Sequence, residues 1–178
     1  MNEAYVRYQI TSDKRRVSEA DWFYVTPEIA LDRGDIFVGQ SALTLASTAT
    51  VSLQMKTGSD TDVYLIGLDI VTTAIRITEK IIEAPTITDG TSELTMLNMN
   101  RQSTDTPGFT VYTNPTSISG GTVIDQVEKY EAKKSPQSAT GGGFLRIKFK
   151  RDEDYVLSLT NGDNQQTLAF VKFYMLEI

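Results

Sequence analysis

The sequence predicts an all-β protein, a sandwich or a barrel. Three observations carry that expectation. Apolar residues recur with a period of two rather than the period of a helix. About eight or nine short apolar runs are separated by Gly, Asn and Asp turn signals. Helix start and stop signals are sparse, and no repeat of fixed length is visible.

The elements follow in chain order. In "SEADWFYVTPEIALDRGD", Ser18 is a possible helix cap and Gly34 a possible stop. Trp22, Phe23, Tyr24, Val25 and Thr26 favour strand, and Pro27 interrupts. The expectation is an extended piece and at most one short helical turn around residues 28–32. In "TVSLQMKTG", Val51, Leu53 and Met55 alternate with polar residues, which reads as a strand with one wet face. Gly58-Ser59-Asp60 turns into "TDVYLIGLDIVTT", apolar on both faces and so expected to be covered on both. Gly67 inside it reads as a bulge or a close backbone approach.

Asp89-Gly90 and Gly120-Gly121 mark tight turns. Between them, "SELTMLNMNRQSTDTPGFTVYTNP" is a long polar excursion that returns to a core pattern at Phe109, Val111 and Tyr112. "KKSPQSATGGG" has the composition of a mobile loop. "FLRIKFKRD" alternates at Leu145, Ile147 and Phe149, and Asp152, Glu153 and Asp154 form a charged turn before Tyr155, Leu157 and Leu159. Asn161-Gly162 signals a hairpin into "LAFVKFYMLEI", again apolar on both faces.

Composition limits the chemistry. The chain has 178 residues, enough for one sizeable domain, and a net charge of −6. That balance argues against general binding of nucleic-acid phosphates. There is no cysteine and no histidine. Disulfides, thiol nucleophiles, Cys/His zinc sites and a Ser-His-Asp triad are therefore excluded. The spaced carboxylates of an EF-hand loop are absent, and "ATGGGF" lacks the Lys-Ser/Thr ending of a phosphate loop. The longest apolar-rich run, residues 63–77, is broken by Gly67, Asp69, Thr72, Thr73 and Arg76, so no membrane helix is expected. The first residues lack a basic-then-apolar leader, and synthesis and function without secretion are expected. Lys14, Arg15 and Arg16 read as a solvated turn or arm. Tyr5, Tyr8, Trp22, Phe23 and Tyr24 read as packing for an N-terminal segment, onto the domain or onto a neighbour.

One stretch carries a resemblance. It holds Glu83-Ala84-Pro85-Thr86, Asp89-Gly90-Thr91, Asn98-Met99-Asn100-Arg101, Ser103, Thr110-Val111-Tyr112, Pro115-Thr116 and Gly121-Thr122. Farther on come a Gly141-Gly142-Gly143 loop, Tyr155 and Leu157, Thr160-Asn161 and a closing aromatic strand. In this order the words resemble those of bacteriophage head decoration, or capsid cement, proteins. The resemblance spans residues 50–178 and is most specific over 83–122. It implies a jelly-roll-like β-sandwich over residues 41–178, with 1–40 as an N-terminal arm. It also implies a structural protein on the outer surface of a virion capsid, assembled in the host cytoplasm. Such a protein would be a homotrimer bridging copies of the major capsid protein, with no catalysis, cofactor, metal, nucleic acid or membrane.

On that reading the contact residues are Asn98, Asn100, Arg101 and Gln102, with Trp22, Phe23 and Tyr24 as an anchor. Amides and a guanidinium suit wet, hydrogen-bonded interfaces. "MLNMN" departs from the pattern, and its large Met96, Leu97 and Met99 suggest a partly buried loop. Two rivals stand beside it. One is a receptor- or glycan-binding sandwich of a tail fibre or baseplate. The other is a carboxylate-based hydrolase, for which no positioned acid–base pair is visible.

Overall fold

A computed structural model describes residues 27–74, 76–130 and 147–178. The basic run, the aromatic trio Trp22-Phe23-Tyr24, the glycine-rich loop and Leu145 lie outside the described residues. The chain opens with a helix, α1 (Pro27–Arg33), followed by β1 (Ile36–Leu45), β2 (Thr50–Thr57), β3 (Val63–Thr72) and β4 (Arg76–Glu83). Five short strands come next: β5 (Thr86–Thr88), β6 (Ser92–Glu93), β7 (Leu97–Asn98), β8 (Phe109–Thr113) and β9 (Thr116–Ser119). The chain closes with β10 (Thr122–Tyr130), β11 (Ile147–Lys148), β12 (Asp154–Asn161) and β13 (Thr167–Glu177).

Two antiparallel sheets form a sandwich. One has the order β11-β3-β13-β1-β7, the other β10-β4-β12-β2-β8-β6. With β5 to β9 set aside, the two orders are β1-β13-β3-β11 and β2-β12-β4-β10, the eight-stranded pattern of a jelly roll. The expectation of a jelly-roll-like sandwich is met. β1 begins at Ile36 and pairs with β13 along its whole length, so the sheet takes in residues ahead of 41. The core draws on both sheets, with Phe37, Leu65, Ile70, Val171 and Phe173 facing Leu53, Met55, Ile81, Leu157 and Leu159.

The excursion between β4 and β10 closes one flank of the sandwich. β7 extends the first sheet beside β1, and β8 extends the second beside β2. Leu94 and Met96 pack onto the core between them. Phe37 of β1 meets Phe109 of β8 edge to face, with ring centroids 5.9 Å apart. Met96 is therefore packed as "MLNMN" suggested, while Leu97 and Met99 are exposed.

Two strand faces differ from expectation, in opposite senses. The polar face of β2 is wet only at its ends, Thr50 and Lys56, since Gln54 is 0% exposed and Ser52 is buried. The Asp89-Gly90 turn lies over it. Gln54 Nε2 donates to Asp89 at 2.8 Å and to Asp154 at 2.9 Å, and its oxygen accepts the Gly90 N–H at 3.0 Å. Conversely, the outer face of β13 is covered only in part. Leu176 is buried there under α1, but Leu168 and Phe170 are 46% and 56% exposed. Gly67 sits beside a register shift between β3 and β13, and a Cβ on it would approach the Tyr174 ring to 3.0 Å.

Candidate protein-contact site

The site is built where the excursion meets the end of α1. Pro27 suits the first position of a helix, because its missing N–H would have no partner there. Gly34 ends the helix at φ +78°, a left-handed conformation that favours glycine. Its N–H donates to the Leu31 carbonyl at 3.0 Å, and the Asp35 N–H donates to the Ala30 carbonyl at 3.0 Å. Those two bonds form a Schellman cap. A Cβ on Gly34 would also stand 2.6 Å from Ser103 Oγ, so glycine is needed for the close approach as well.

The Asn-x-Asn word completes this cap. Asn98 Nδ2 donates to the Gly34 carbonyl at 2.8 Å, and Asn100 Nδ2 donates to the Asp32 carbonyl at 2.8 Å. These carbonyls lie at and beyond the helix end, where no intrahelical donor reaches. The two side-chain oxygens are used too. Asn98 Oδ1 accepts the Asn100 N–H at 2.9 Å and Asn100 Oδ1 accepts the Gln102 N–H at 3.0 Å, giving two successive Asx turns. The Met99 N–H adds a bond to the Ile36 carbonyl at 2.9 Å. Farther along, Glu177 accepts the Gly108 N–H at 2.9 Å, just before Phe109 enters the core.

Arg101 and Gln102 are held out by this frame. Both are exposed, and among the described residues neither side chain has a hydrogen-bond or ion-pair partner. With Leu31, Asp32, Met99 and Asn100 they line a shallow, open cleft of about 440 Å³. The structure thus brings together four of the seven sequence-predicted residues, Asn98, Asn100, Arg101 and Gln102. The other three, Trp22, Phe23 and Tyr24, lie outside the described residues. Sequence reasoning missed Leu31, Asp32 and Met99. The stop at Gly34 and the paired asparagines were both visible, but nothing in the sequence joins them.

The charge around the corner is mostly negative. Burial raises the Asp35 carboxyl above the usual range, against the pull of Arg33 at 3.1 Å, and Asp105 and Glu177 add to the rise. Among the described residues no group of three or more His, Cys, Asp or Glu side chains converges to hold a metal ion. No protein-family model matches this chain, and no curated protein or solved structure matches it either.

Proposed function

We propose that the protein is a structural component of a bacteriophage virion. It would decorate the capsid and stabilise it by bridging major capsid protein subunits, acting as a homotrimer. The sequence words quoted above favour this reading. The observation that carries it is the capped corner, in which Asn98 and Asn100 hold the loop while Arg101, Gln102 and Met99 face outward. A contact loop ordered before binding loses less entropy on docking. Arg and Met are enriched at protein interfaces. Apolar burial contributes about 25 cal/mol per Å², and a trimer gains avidity once one subunit has docked.

Light scattering on the purified protein, followed by co-sedimentation with shells lacking it, tests the proposal. The expected result is a trimer that sediments with shells, and weaker binding by Arg101→Ala. A monomer that ignores shells would overturn it. A second reading, a receptor- or glycan-binding domain of a tail fibre or baseplate, is favoured by the cleft, where Asp32, Asn100, Arg101 and Gln102 gather polar groups that suit a sugar. Glycan-array binding lost in Arg101→Ala, with no affinity for shells, would select it.

A further inference from the structure

We infer that Asp35 and Glu177 form an acid-sensitive catch beneath the loop of residues 99–108, which grips the loop more firmly in mild acid than at neutral pH. The two residues stand directly opposite each other. The β1–β13 register sets Ile36 against Leu176, and the Glu177 N–H donates to the Asp35 carbonyl at 2.9 Å, which carries the pairing one residue past the start of β1. Opposed residues of an antiparallel pair project to the same side. Here that side is the inner one, because Phe37 and Met175, two positions farther into the strands, belong to the core. The pair therefore lies at the end of the core where the loop returns through Gly108 to Phe109. Glu177 accepts the Gly108 N–H with its two oxygens, at 3.1 and 2.9 Å.

A third carboxylate comes from the loop itself. Ser103 Oγ donates to Asp105 at 3.0 Å and accepts the Asp105 N–H at 3.1 Å, and Ser103 packs against Gly34, next to Asp35. From α1 the facing charge is Arg33, whose Nε lies 3.1 Å from Asp35 on a partly exposed side chain. Asp62, bonded through its backbone to Ile178 beside the end of β13, draws Arg151 and Lys148 to itself at 2.7 and 3.2 Å. Arg101 of the loop is exposed. Like charges set opposite each other across a strand pair are destabilising, and where two carboxylates share a site one takes up its proton early. Burial raises the Asp35 carboxyl above its usual range against the pull of Arg33, and Asp105 and Glu177 raise it further. A proton on Asp35 removes the repulsion and leaves Glu177 to hold Gly108. The corner thus gains stability as pH falls through the raised native value and loses it as pH rises above that value. The inference concerns the free protein and does not rest on the virion proposal.

Amide hydrogen exchange tests it, expressed as protection factors so that the intrinsic pH dependence of exchange cancels. Ser103, Asp105 and Gly108 report on the loop, and Leu157 in the interior strand β12 reports on global unfolding. From about pH 7 to about pH 5, loop protection relative to Leu157 is expected to rise about two- to five-fold, the size of a partly exposed charge interaction. Asp35→Asn is expected to hold the higher protection at both pH values, and Arg33→Ala to widen the response. Protection that stays flat or falls on acidification overturns the inference, and so does a response that persists in Asp35→Asn. Glu177→Gln keeps an acceptor for Gly108 while removing the opposed charge, so it carries the same test if Asp35→Asn does not fold, with circular dichroism as the check. A pH response that persists in Glu177→Gln overturns the inference equally.

Discussion

Replacing Asn98 by Ala separates the frame of the loop from its exposed face. Asn98 makes two side-chain hydrogen bonds with neutral backbone partners, to the Gly34 carbonyl at 2.8 Å and from the Asn100 N–H at 2.9 Å. Each is worth about 1 kcal/mol net. Both are lost together, and the helix-end carbonyl loses its donor, so the loss is about 2 kcal/mol. For a domain of this size that lowers Tm by about 4–8 °C. Arg101→Ala breaks no bond seen among the described residues, and an exposed substitution of that kind stays within about 0.5 kcal/mol. Thermal unfolding followed by circular dichroism measures both variants, and shell co-sedimentation then measures their binding. Asn98→Ala is expected to melt early, and Arg101→Ala to melt normally yet bind shells poorly. If Asn98→Ala melts within a degree of the parent, or Arg101→Ala melts as early as Asn98→Ala, the division into frame and face is wrong.

Gly90→Ala would drive a Cβ to 2.3 Å from the Thr113 carbonyl oxygen and 2.7 Å from Tyr112 Cβ. The turn must lift, at a cost of about 1–3 kcal/mol, read as a lower denaturant midpoint; an unchanged midpoint would show that the turn is not seated against β8. Burial, with the hydrogen bond to Glu83 adding and the Lys150 N–H opposing, pushes the Tyr155 phenol up to about 12. The unfolded phenol titrates near 10, so the native state holds the proton longer. That share of stability is whole below about pH 10 and is lost as pH rises toward 12. Denaturant midpoints across that range should fall less steeply in Tyr155→Phe, and equal slopes would refute the raised value. Burial pushes Asp62 upward, but hydrogen bonds from Arg151 at 2.7 Å and Lys148 at 3.2 Å outweigh it and hold the carboxyl below its usual range. Its contribution is present above about pH 4 and is lost as pH falls through the lower native value. Tm against pH should therefore be flatter on the acid side in Asp62→Asn, and a parallel curve would contradict the pairing.

Much of the sandwich was legible because its signals are local. The alternation at Val51, Leu53 and Met55 needs only the two-residue period of a strand. The Gly34 stop follows from a left-handed conformation that favours glycine, whereas Asn161-Gly162 marks a turn but not the hairpin it signals, because β12 pairs with β2 and β4 and β13 with β1 and β3, so the turn carries the chain from one sheet to the other. The absence of cysteine and histidine bounds the chemistry without any structure. What covers a strand face is a different kind of fact. Gln54 is polar, so β2 reads as wet, yet a turn from 35 residues onward lies over it and satisfies its amide. Phe170 and Leu168 are apolar, so β13 reads as covered, yet α1 reaches only its far end. The asparagines at 98 and 100 read as contact residues, and only their meeting with the carbonyls of Asp32 and Gly34 reveals a helix cap. A sequence records what each side chain can bond or bury, whereas its partner is chosen by strand order and chain crossing, which bring residues distant in the chain within a few ångströms.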